Sequence, residues 1–141
     1  MSRFTLLVCL AAFVATIGCG GDSPTSPTQP RGEYQEIDIR IGTGTVATSG
    51  RPTVVHYTLW LYDPNGTDRK GTRLESSLDT GTPLTVNNNV ITGFARGIVG
   101  MRVGGLRRVI VPPELAYGSQ GQGRVPGNAT IVFEIELLQV N

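Results

Sequence analysis

The stretch Val90-Ile91-Thr92-Gly93-Phe94-Ala95-Arg96-Gly97-Ile98-Val99-Gly100-Met101 decides the fold. Its apolar positions Ile91, Phe94, Ile98 and Met101 recur at helical spacing, which predicts one short amphipathic helix of about three turns. Gly93, Gly97 and Gly100 each cost such a helix up to about 1 kcal/mol relative to alanine. Packing must therefore hold it, and the flanking sequence supplies a sheet to pack on. Upstream, residues 34–41 alternate Ile37, Ile39 and Ile41 with Asp38 and Arg40, the pattern of a half-buried strand. A Gly/Thr/Ser loop over 42–50 leads into 52–62, the richest β-branched and aromatic run of the chain. That run stops at the turn signal Asp63-Pro64-Asn65-Gly66, and residues 73–76 are expected to return antiparallel. Downstream, 106–111 reads as a strand ended by Pro112-Pro113. Residues 129–140 read as a long final strand with Ile131, Phe133, Ile135 and Leu137 on one face. One helix among about five antiparallel strands predicts an α+β domain with the helix on one face of a curved sheet.

The chain has 141 residues, enough for one ordinary domain. Lys and Arg number 12 against 11 Asp and Glu, a formal net charge of +1, so clustered basic charge for a polyanion is missing and nucleic acid is not the expected partner. Nineteen Gly and nine Pro point to many turns rather than to a disordered polymer. Both cysteines, Cys9 and Cys19, fall near the N-terminus, so the folded part holds no disulfide and no cysteine-ligated zinc.

Arg3 followed by the uncharged run 4–18, with its apolar stretch 6–17, has the layout of a secretory signal. About twelve apolar residues fall short of the roughly twenty a membrane span needs. Thr16-Ile17-Gly18-Cys19 resembles the lipobox of bacterial lipoproteins, which implies lipidation of Cys19; Thr16 stands where Leu is usual, and plain secretory cleavage is the alternative. The absence of Asp directly after Cys19 resembles lipoproteins sent to the outer membrane. Residues 20–32 carry Pro24, Pro27 and Pro30 and no apolar face, an extended tether with a reach of up to about 40 Å at about 3.1 Å per residue. The expected organisation is a signal peptide over 1–18, a lipidated cysteine and tether over 19–32, and a charge-neutral folded domain over 33–141. About 110 residues can bury somewhat over 60% of their unfolded surface, so that domain can stand without staples.

Several local patterns carry little. Asn65-Gly66-Thr67 and Asn128-Ala129-Thr130 match a glycosylation sequon, but the leader looks bacterial. His56 is the single histidine and no cysteine accompanies it, so no metal site is expected; it reads as a strand histidine with a satisfied ring nitrogen. No Gly-x-Ser-x-Gly pattern supports a Ser-His-Asp hydrolase. Glu75 and Asp79 read as solvated or backbone-capping carboxylates rather than an acid/base pair. Residues 118–123 are glycine-rich but follow a Pro-Pro break, not a strand-to-helix junction, so a phosphate loop is not expected. What remains is aromatic and aliphatic: Tyr57, Phe94, Tyr117 and Phe133, with Leu74, Leu84, Val90, Ile91 and Val125. Spacing alone reads these as ordinary core.

Six ordered blocks change that reading: Val54-Val55-His56-Tyr57-Thr58; Glu75-Ser76-Ser77; Val90-Ile91-Thr92-Gly93-Phe94; Gly97-Ile98-Val99-Gly100-Met101-Arg102-Val103-Gly104-Gly105; Val111-Pro112-Pro113-Glu114-Leu115-Ala116-Tyr117-Gly118; and Val125-Pro126-Gly127-Asn128-Ala129-Thr130-Ile131-Val132-Phe133-Glu134-Ile135-Glu136-Leu137-Leu138. Together they resemble an FKBP-type peptidyl-prolyl cis/trans isomerase over nearly all of 34–141. The resemblance implies a curved five- to six-stranded antiparallel sheet wrapped around one short helix, and an active site in a shallow apolar basin between them. Carried over block by block, the catalytic positions are Tyr57, Glu75, Ile91, Tyr117 and Phe133, and the substrate-binding positions are Leu74, Leu84, Val90, Phe94 and Val125. It further implies proline-containing polypeptides as substrates, no cofactor, a monomer, and, with the leader, a periplasmic location in the bacterial envelope with a lipid anchor as the only membrane contact.

The chain departs from the family where Phe-Asp is replaced by Leu74-Glu75 and where Leu84 replaces another aromatic wall. Phe94 stands in place of the usual tryptophan, and the segment after Val86 and the 118–127 loop are short. An FKBP-fold chaperone or peptide-binding module with little turnover is accordingly the alternative to the enzyme.

Overall fold

The computed structural model of the protein describes residues 28–141. The signal-peptide and Cys19 lipidation expectations, and most of the tether, lie outside the described residues. Two long strands form the axis of the sheet: β2 (Thr53–Tyr62) and β6 (Ile131–Val140) pair antiparallel from Thr53 opposite Val140 to Leu61 opposite Ile131. In chain order the other strands are β1 (Gln35–Arg40), β3 (Lys70–Ser76), β4 (Leu84–Val86) and β5 (Leu106–Val111). The sheet runs β1-β5-β6-β2-β3, with β4 also pairing with β2, and every pairing is antiparallel. β4 has only three residues after Pro83, too few to show an alternation in the sequence.

The helix α1 (Thr92–Ile98) buries Gly93, Phe94, Gly97 and Ile98 against the sheet. It is shorter than the expected three turns because Ile91 and Val99 are already extended and Gly100 adopts φ +83°, which ends the helix. The glycines inside it have a packing reason. A Cβ on Gly93 would lie 2.2 Å from Val111 Cγ1, and one on Gly97 2.6 Å from Val109 Cγ2, so their absence lets the helix rest directly on β5. The core between helix and sheet contains Val55, Val109, Val111, Ile131, Ile135 and Leu137, all fully buried.

The helix end is also held electrostatically. Arg107 on β5 is buried and donates from Nη1 to the carbonyls of Gly97 and Val99, each at 3.1 Å. Its Nε donates to Asp38 at 2.6 Å and Nη1 to Glu36 at 3.2 Å. This explains a correction to β1. The strand forms as expected, but it is not half-buried: Ile37, Ile39 and Ile41 are 39%, 44% and 75% exposed. Asp38, not the isoleucines, takes the helix side to meet Arg107, and a strand's alternation then sends Ile37 outward. At the other end of the sheet's outer face, Gly32 N–H donates to Thr130 Oγ1 at 3.1 Å, so the chain is in contact with the domain just before β1 begins.

Candidate active site

Three aromatic side chains converge from three elements. Tyr57 comes from β2, Phe133 from β6 and Phe94 from α1, and all three pairs meet edge to face. The centroid distances are 4.8 Å for Phe94–Phe133, 5.7 Å for Tyr57–Phe94 and 6.1 Å for Tyr57–Phe133. Such pairs gain about 0.5–1.5 kcal/mol beyond burial, and the geometry fixes the ring planes. Phe94 and Phe133 are each 3% exposed, while Tyr57 is half-buried. Above them opens a cavity of about 360 Å³ lined by Tyr57, Glu75, Leu84, Asn89, Val90, Ile91, Phe94, Tyr117, Gln122 and Phe133.

The structure thus brings Tyr57, Glu75, Leu84, Val90, Ile91, Phe94, Tyr117 and Phe133 to one cavity. It does not bring Leu74 and Val125 there: both are buried core residues, at 7% and 6% exposure, behind the lining. Leu74 and Glu75 are successive residues of β3, whose side chains leave on opposite faces, and only Glu75 reaches the cavity. Val125 closes a tight loop with Gln122, their backbones exchanging hydrogen bonds of 2.9 Å, and the Gln122 side of that loop takes the wall position. Asn89 and Gln122 were missed by sequence reasoning because they sit in Asn- and Gly-rich loops with no periodicity. Their only signals are that Asn89 adjoins Val90 and that Gln122 falls within the 118–127 loop.

The polar groups of the basin are few. Tyr57 Oη donates to Glu75 Oε1 at 2.8 Å. Burial, and then this hydrogen bond to the carboxylate, push the Tyr57 phenol up to about 12. The Tyr117 phenol is pushed up too, first by burial and second by the charge of Glu75. Both hydroxyls are therefore protonated donors throughout the neutral range. Ile91, immediately before α1, lines the same cavity. Arg124 donates to the carbonyl of Leu74, which ties the 118–127 loop to β3 beside Glu75.

Groups discounted from the sequence are occupied elsewhere. His56 Nδ1 meets Ser77 Oγ at 2.9 Å, and Asp79 accepts from Arg73 at 2.6 Å, apart from Glu75. Among the described residues no three His, Cys, Asp or Glu side chains stand together as metal ligands. The basin offers an aromatic floor, aliphatic walls from Leu84, Val90 and Ile91, and the Tyr117 hydroxyl with the Asn89 and Gln122 amides. Such a site can strip water from a flat apolar ring and hold the carbonyls beside it.

Comparison with known proteins follows the same lines. The family model for FKBP-type peptidyl-prolyl cis-trans isomerase matches residues 43–138. The chain is similar to the FK506-binding protein of Neisseria meningitidis serogroup A, at 42% identity over 107 residues, covering 73% of this chain and 92% of the relative. FK506-binding protein 2 of Dictyostelium discoideum is 35% identical over 142 residues, covering 96% and 98%. Among solved structures, FkpA from Escherichia coli superposes with a TM-score of 0.67 at 29% identity over 82% of this chain, which spans about half (53%) of that protein. AtFKBP13 superposes with a TM-score of 0.64 at 30% identity, over 77% of this chain and 93% of that one.

Proposed function

The chain belongs to the FKBP-type peptidyl-prolyl cis-trans isomerase family, and we propose that the basin over Tyr57, Phe94 and Phe133 catalyses rotation about X-Pro bonds of exported polypeptides, assisting their folding in the cell envelope. The observation that carries this reading is the edge-to-face aromatic floor of Tyr57, Phe94 and Phe133 beneath a cavity lined mainly by aromatic and aliphatic side chains. The reaction needs no nucleophile. Cis and trans X-Pro forms differ by only about 1 kcal/mol. The barrier of about 18–20 kcal/mol comes from loss of amide resonance on twisting. A twisted amide is less polar than a planar one, so removing water favours the transition state over the ground state. The three rings hold the proline, while the Ile91 N–H and the Tyr117 hydroxyl anchor substrate carbonyls so that one side stays fixed as the other turns. Glu75 orients the Tyr57 hydroxyl, the role given to an aspartate one methylene shorter in the family pattern.

A protease-coupled assay on a Leu-Pro peptide tests the activity. Acceleration over the uncatalysed rate is expected, and a rate equal to the uncatalysed one leaves the chaperone or peptide-binding alternative. The envelope location and the anchor rest on the leader and on Cys19. Detergent phase partitioning of wild type against Cys19→Ser tests them: the wild type is expected in the detergent phase and the variant in the aqueous phase.

A further inference from the structure

A second concavity of about 900 Å³, larger than the basin's 360 Å³, lies on the flank of α1 away from the aromatic floor. The 48–53 loop forms one bank, the exposed helix positions Thr92 and Ala95 with the exposed Val99 just past the helix form the other, and Val86 and Ile98 lie between. The charged side chains on its rim are already engaged. Arg51 Nε donates to the Asn141 carbonyl at 2.8 Å, and the Arg96 guanidinium lies 4.3 Å from the Tyr34 ring centroid. Glu36 accepts from the Tyr34 hydroxyl at 2.6 Å and from Arg107 at 3.2 Å. What the groove presents otherwise is amide, hydroxyl and apolar surface, with Asn87, Asn88, Thr48 and Ser49 all exposed. That chemistry suits neither a phosphate nor a metal ion. It suits an extended polypeptide of no fixed sequence, whose backbone N–H and C=O groups pair with side-chain amides.

The groove adjoins the basin at Val90, which lines both. Asn89 faces the basin, and Asn87 and Asn88 face the groove. We infer that the groove is the second half of the client-binding surface and holds, in extended form, the residues flanking the isomerised X-Pro bond. This rests on the reading of the basin as the isomerase site. Crossing the width of a helix, about 10–12 Å, takes about three or four extended residues at about 3.3–3.6 Å each. A tetrapeptide therefore fills only the basin, while a longer client engages both.

The test compares three peptides on the full-length protein: a Leu-Pro tetrapeptide, the same peptide lengthened by six residues at its N-terminal end, and one lengthened at its C-terminal end. One of the two long peptides is expected to show a KM about tenfold lower than the tetrapeptide. Ala95→Trp and, separately, Ser49→Trp fill the groove away from the basin; each is expected to abolish that gain and to leave tetrapeptide kcat/KM unchanged. Equal KM values for all three peptides, or a gain that survives both substitutions, overturns the inference. Should one variant fail to fold by circular dichroism, the other decides. If the protein turns over no peptide, the isomerase reading falls, and fluorescence anisotropy with the long labelled peptides decides the groove alone. Binding weakened by Ala95→Trp sustains the groove, and binding unchanged by it removes it.

Discussion

Tyr57 shows how one side chain joins fold and chemistry. Its ring is one wall of the aromatic floor and its hydroxyl is held by Glu75. Because burial and the carboxylate raise its pKa to about 12, and burial also raises the Tyr34 and Tyr117 phenols, spectrophotometric titration of the folded protein is expected to show three phenols ionising above the ordinary value of about 10, and one fewer in Tyr57→Phe. The sign follows directly. A folded-state pKa above the unfolded one stabilises the protein fully below pH of about 10, and that contribution is lost as pH rises through about 12. Leu74 and Leu84 differ in a way the family pattern does not show. Leu84 lines the cavity and Leu74 is buried in the core. Leu84→Phe is therefore expected to narrow the basin and lower KM. Leu74→Phe is expected to overpack the core at a cost of about 1–3 kcal/mol, without the gain in turnover that a wall residue would give. Urea denaturation and the peptide assay on both variants check this.

At the scale of elements, α1 exists because of its contact with β5 rather than its own propensity. A seven-residue helix with two internal glycines is not stable alone. The glycines let it approach Val109 and Val111, and Arg107 satisfies its last carbonyls. Helix propensity by itself predicts that Gly97→Ala stabilises by up to about 1 kcal/mol. The 2.6 Å approach of its Cβ to Val109 predicts the reverse, a loss of about 1–3 kcal/mol as the helix is forced off the sheet. A raised urea midpoint in Gly97→Ala would contradict this packing account. Since Phe94 is carried on the same helix and faces Phe133 at 4.8 Å, the displaced helix is also expected to raise KM for the Leu-Pro peptide.

At the scale of the whole molecule, the domain's contacts begin upstream of β1. Arg31 pairs with Glu114 at 2.9 Å, an exposed pair of small worth. The Gly32 N–H bond to Thr130 is part-buried, and Gly32 packs against Tyr62 and Ile110. Tyr34 lies under Arg96. A chain starting at Thr28 is therefore expected to match the full domain in thermal stability. One starting at Gln35 is expected to lose about 1–3 kcal/mol from the missing hydrogen bond and the uncovered apolar surface. Equal melting temperatures for the two truncations would show that residues 28–34 contribute nothing to the fold.

Much of this protein is written locally. The β-branched and aromatic run of β2, the strand period of 2 in β6, the turn at residues 63–66 and the spacing of Ile91, Phe94 and Ile98 determine the elements, because residue type, period and turn chemistry are properties of neighbouring residues. The kind of chemistry was legible only through the six ordered blocks and the family they resemble, since the spacing of the aromatic and aliphatic groups alone reads as ordinary core. The tertiary structure alone decided which face β1 turns inward. The alternation of β1 is the same whether isoleucine or aspartate faces the helix, and Arg107, far away in sequence, selects aspartate. It likewise decided that Glu75 and not Leu74 enters the basin, and that Val90 stands between the basin and a second groove. Those outcomes depend on pairing partners many residues apart, and a side chain's surroundings are set by the partner strand rather than by its own neighbours in the chain.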